Sequence, residues 1–69
     1  MNTLIERLKL VQETHNWSDA TMAQQLGISR SYWVRLRLGS RAPGRKVLVG
    51  LVRSFPDLAD AAISYLRNL

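Results

Sequence analysis

Arg30, Ser31, Tyr32 and Arg35 are the residues of this chain whose types and spacing best suit chemistry on a partner. That chemistry is hydrogen bonding and charge rather than bond breaking. An arginine can donate two bonds at once to guanine O6 and N7, and a serine hydroxyl can donate or accept at short reach. Ser31 and Arg35 stand one helical turn apart, so a helix through them shows both on one face. Tyr32 suits the sugar-phosphate wall or a thymine methyl, and equally suits packing over a helix junction. No reactive constellation competes with this group. The single histidine, His15, has no acidic orienter and is placed to cap a helix end, and there is no cysteine and no glycine-rich phosphate loop. We therefore expect no enzyme activity, no metal, no cofactor and no small-molecule ligand.

The distribution of charge points to the kind of partner. The net charge is +5, and between Asp19 and Asp57 there is not one carboxylate. The same interval holds Arg30, Arg35, Arg37, Arg41, Arg45, Lys46 and Arg53, seven of the ten basic residues. A field of one sign concentrated in one region favours a polyanion and gives fast, salt-sensitive association. Arg41, Arg45 and Lys46, in the turn-rich stretch RLGSRAPGRK, are candidates for phosphate contacts.

Two short helices must position these groups. Ser18 is a suitable N-cap for a helix from Asp19 to Leu26, because its hydroxyl can accept a bond from a free first-turn N–H. Trp17 and Met22 can pack across that cap as a hydrophobic staple. Gly27 stops the helix where a left-handed residue is needed. Ser29 caps a second helix that runs to Leu38, and Gly39 ends it. Met22, Ala23 and Leu26 form the inward stripe of the first, and Trp33 and Leu36 that of the second. Arg30, Ser31, Val34, Arg35 and Arg37 remain outward. A short helix, a glycine turn and a second capped helix over residues 18–38 make a helix-turn-helix.

The run MAQQLGIS, the helix after it and the GSRAP loop resemble the Cro/lambda-repressor-like helix-turn-helix family. The matching features are Ala23 in mid-helix, Gly27 in the turn, Ser29 as cap, Leu36 in the core and Gly39 before a basic, proline-containing loop. Trp33 and Leu38 depart from it, since the family usually has Ile or Val at the first position and Asn at the second. The resemblance implies an all-α, compact bundle of about five helices, and an operator-binding repressor of Cro type acting in the cytoplasm on double-stranded DNA. It places Arg30 and Ser31 on base edges. It also implies a phosphate contact at the start of the second helix. Asp19 carries the wrong charge for that, so the contact passes to the backbone and Ser18. Ser29 and Arg37 complete the expected phosphate set.

The flanking segments supply the rest of one domain, residues 1–69. A first helix capped by Asn2 or Thr3 buries Leu4, Ile5, Leu8 and Val11, with Lys9 and Glu13 able to pair one turn apart. A fourth, Val47 to Phe55, closes the bundle against the first two with Val47, Leu48, Leu51, Val52 and Phe55 repeating at one-turn intervals, and Gly50 within it marks a close helix approach. Pro56 ends it. A last helix over residues 57–68 starts at Asp57 and carries Leu58, Ala61, Ala62, Tyr65, Leu66 and Leu69 on one stripe, with Ile63 at its flank. That stripe exceeds what docking on a small core needs. It gives a homodimer with Leu58, Ala62, Tyr65, Leu66 and Leu69 at the interface, bound to a near-palindromic operator. The alternative is an antitoxin-like or adaptor module whose last helix binds a partner protein. No apolar run approaches the ~18 residues of a membrane span, and no secretory leader is expected.

Overall fold

The computed structural model describes residues 3–68, with side chains from Leu4 onward, and the described residues form five α-helices and no strand. The helices are α1 (Thr3–His15), α2 (Asp19–Leu26), α3 (Arg30–Arg37), α4 (Arg45–Ser54) and α5 (Ala59–Arg67), with one 3-10 turn at Pro56–Leu58. The cap expected of Asn2 or Thr3, and the place of Leu69 on the last stripe, lie outside the described residues.

Local chemistry sets the helix ends. The Ser18 hydroxyl accepts the Thr21 N–H at 3.1 Å and the Ser29 hydroxyl accepts the Tyr32 N–H at 3.2 Å. Each cap satisfies a donor that has no partner inside its own helix. The C-terminal ends of α1, α2 and α3 share one device. Asn16, Gly27 and Gly39 take φ of 54°, 72° and 82°, and the next residue's N–H reaches back to the carbonyls of Gln12, Ala23 and Arg35. This is the Schellman arrangement, which needs a left-handed residue. Asn16 fills that position in α1, where the sequence offers no glycine.

The core is built from the stripes that periodicity assigns. Leu4, Ile5 and Leu8 from α1, Met22, Ala23 and Leu26 from α2, and Trp33 and Leu36 from α3 are buried, together with Val47, Leu48 and Leu51 from α4. Trp33 is the largest fully buried side chain. Packing runs α1 on α3 and α5, α2 on α3 and α4, and α4 on α5. At the α2–α4 crossing Gly50 lies directly under Leu26, and a Cβ there would run into the Leu26 carbonyl.

Several expectations are corrected by the packing. Pro56 opens a 3-10 turn, so α5 begins at Ala59 rather than Asp57. Lys9 pairs with Glu6 at 3.5 Å rather than with Glu13. Trp17, which packs against the core that holds Met22, also stacks on His15, with ring centroids 4.3 Å apart, and leans towards Phe55. Val52, expected in the core, is 43% exposed, because Val47, Leu48 and Leu51 already fill the inner face of α4. Leu58 and Ala62, expected at a dimer face, are buried in the chain's own core.

Candidate nucleic-acid interface

The surface of α3 follows from how its inner face is held. Trp33 and Leu36 point inward, so the helical period puts Ser31 near the centre of the outer arc, with Arg30 and Arg35 on its two sides. All three are exposed. Neither Arg30 nor Arg35 makes an ion pair with any described carboxylate. Each can therefore turn its guanidinium to an external acceptor without first breaking a bond. Val34 is half-buried between the two arginines.

Tyr32 and Arg37 belong to the supports of α3. The Tyr32 hydroxyl accepts the N–H of Gly44, the N-cap of α4, at 3.1 Å. Its ring lies under the Arg41 guanidinium, 5.5 Å from centroid to carbon, within cation–π range. These contacts fit the packing role at a helix junction that was one of the two expected of Tyr32. Arg37, expected at a phosphate, is held by Asp19: Nη2 donates to a carboxylate oxygen at 3.2 Å. Its Nε is buried without a partner among the described residues.

Asp19 gathers more than Arg37. One carboxylate oxygen accepts from Gln12 Nε2 at 2.9 Å and from the Trp33 indole N–H at 3.1 Å. The indole N–H is shared with Gln12 Oε1, also at 3.1 Å. Gln12 Nε2 in turn donates to the Trp17 carbonyl at 3.1 Å. The hydrogen bond from Gln12 is the main cause holding the Asp19 carboxyl below its ordinary pKa; partial burial opposes it, and Arg37 and Trp33 add to it. The negative charge that disqualified Asp19 as a phosphate ligand thus faces inward, towards α3. Sequence reasoning missed this cluster. The available signal was Trp33 itself, since a buried indole N–H needs an acceptor.

Three further cations follow α3 in the chain, Arg41 in the loop after it and Arg45 and Lys46 in the first turn of α4. Arg41, Arg45 and Lys46 are exposed, and none is paired with a described carboxylate. Ser18 and Ser29 are exposed as well, although each hydroxyl already serves its helix cap. Between α4 and α5 lies an apolar depression lined by Val49, Val52, Ile63 and Leu66, with Arg45 and Arg53 at its border; the four apolar residues are 47%, 43%, 54% and 51% exposed. Of the residues expected at a dimer contact, Leu66 lies in this depression and Tyr65 borders it half-buried, its hydroxyl 3.5 Å from the Pro43 carbonyl.

Among the described residues no helix is long and apolar enough to cross a membrane, and no cluster of His, Cys, Asp or Glu could hold a metal ion. Compared with protein-family models, curated proteins and solved structures, the chain matches none.

Proposed function

We propose that this chain is a sequence-specific double-stranded DNA-binding regulator of the lambda-repressor-like kind, a Cro-type repressor that blocks transcription by occupying an operator in the cytoplasm. The observation that carries this reading is the outer arc of α3. Arg30 and Arg35 flank Ser31, exposed and unpaired among the described residues, on a short helix whose inner face is pinned. Inserted into a major groove, that arc meets base edges, and the two arginines favour guanine. Arg41, Arg45 and Lys46 would lie along the flanking phosphates, where they add affinity without sequence preference. No step of bond making or breaking is required.

A homodimer fits the same reading. Half-sites read by paired helices lie about 34 Å apart, one turn of DNA. The described residues extend 30 Å along their longest axis, a size that suits one protomer per half-site of a near-palindromic operator. The apolar depression between α4 and α5 is the surface best suited to join two copies. The same depression favours a second reading, an antitoxin-like or adaptor module that docks a partner protein there while α3 binds DNA.

Selection from a pool of randomised duplexes tests the proposal. Enrichment of a two-fold-related, G·C-containing motif is the expected result, and an unenriched pool would sink it.

A further inference from the structure

Apolar packing holds α3 against the core, and the Tyr32 hydroxyl ties one side of it to Gly44, but packing by itself does not set rotation to the tolerance a hydrogen bond needs. Trp33 and Leu36 press against the core, but contacts of that kind are non-directional. A rotation of about 20° at the ~6 Å radius of a helix surface displaces a side chain by about 2 Å. Hydrogen bonds to base edges do not survive such an error, because their useful range is a few tenths of an ångström. Something directional must fix the helix.

Asp19 has the required geometry. Its carboxylate binds Trp33 and Arg37, which stand one turn apart on α3, at 3.1 and 3.2 Å. Two attachments at different heights fix both rotation and slide, which one attachment would leave open. The carboxylate is itself held, being in the first turn of α2 and bonded to Gln12 of α1 at 2.9 Å. Gln12 has no freedom to swing, since its amide also engages the Trp17 carbonyl and the indole N–H. Three helices therefore meet at one side chain. A purely local role at the positive end of α2 would leave Trp33 and Arg37 without this partner.

We propose that Asp19 is the positioning residue of α3, fixing its rotation and slide against α1 and α2 and thereby the placement of Arg30 and Arg35. The last step rests on the DNA-binding reading given above.

The test uses Asp19→Ala and Asp19→Asn in the full chain, with residual dipolar couplings reporting the orientation of α3 relative to α1 and α2 in the free protein. The expected result is a reoriented α3 in otherwise intact helices, larger for Ala than for Asn, which keeps an oxygen for the indole N–H. On DNA, the ratio of affinities for a selected over a scrambled duplex should fall about tenfold or more. Binding to the scrambled duplex should change far less, because the phosphate-facing cations are untouched. An α3 orientation identical to wild type in both variants overturns the proposal, as does a reoriented α3 with an unchanged affinity ratio. If Asp19→Ala does not fold, Asp19→Asn decides. If the wild-type chain prefers no duplex, the DNA reading fails, and the couplings alone decide whether Asp19 holds α3.

Discussion

The indole N–H of Trp33 lies 3.1 Å from a carboxylate oxygen of Asp19, fourteen residues earlier in the chain. The bond joins the helix that carries the exposed arginines to the first turn of the helix before it. A fully buried tryptophan is thereby satisfied, and an aspartate in a basic region is turned away from the outer surface.

Acid should weaken this contact. The folded-state pKa of Asp19 lies below its unfolded value, chiefly through the bond from Gln12 and against some desolvation. A carboxylate shifted down contributes stability that is complete above its unfolded pKa of about 4 and is lost as pH falls through the folded value. Urea titrations should show the wild type more stable than Asp19→Asn, by about 1–3 kcal/mol above pH 5. The gap should close as the pH drops below about 4. A gap of constant size down to pH 2 would contradict the assignment.

The basic residues should separate into two kinds by competition binding. Arg30→Ala and Arg35→Ala should each cost roughly 1–3 kcal/mol on the preferred duplex and relax discrimination at one base pair. Arg41→Ala, Arg45→Ala and Lys46→Ala should weaken all duplexes alike, each lowering the slope of log affinity against log salt by about 0.9. Arg37→Gln should leave that slope unchanged, since its guanidinium is already engaged by Asp19.

Gly50→Ala should destabilise the fold. In an exposed helix the change would gain about 1 kcal/mol. Here the new methyl group meets the Leu26 carbonyl, and backbone cannot yield as a flexible side chain does. Overpacking of this kind costs about 1–3 kcal/mol net. For a domain of this size each kcal/mol lowers the thermal midpoint by about 4–8 °C, which circular dichroism would read.

Association should depend on the α4–α5 depression. Leu66→Lys and Val52→Lys alter exposed positions, so each should change stability by no more than about 0.5 kcal/mol. Sedimentation at micromolar concentration should find the wild type dimeric and both variants monomeric. A wild type that sediments as a monomer would remove the homodimer from the reading.

Much of the fold was legible because its signals are local. Ser18 and Ser29 cap, Gly27 and Gly39 terminate, and Gly50 marks a close crossing, each recognisable within a turn or two of sequence. Trp33 belonged inside by its one-turn spacing from Leu36. The Asp19 cluster was harder, because its partners lie seven residues earlier and fourteen and eighteen later, and only packing brings them together. The outer face of α5 failed for a different reason. Leu58, Ala62, Ile63 and Leu66 surround more of the helix than one stripe, so periodicity could not tell which residues the core would take. The structure buries Leu58 and Ala62 and leaves Ile63 and Leu66 outside.

The hydroxyl of Tyr32 on Gly44 and the ring of Tyr32 under Arg41 fasten the loop after α3 to α3 itself. A mobile arginine loop would have to be ordered when it met an anion, with the entropic penalty that ordering brings. In this chain the loop is anchored in the free protein, so much of that penalty falls on folding instead. Its reach is limited to match: Arg41 lies against the Tyr32 ring of the helix that carries Arg30 and Arg35, and on the DNA-binding reading proposed above a duplex of unsuitable width would have to deform to meet all three.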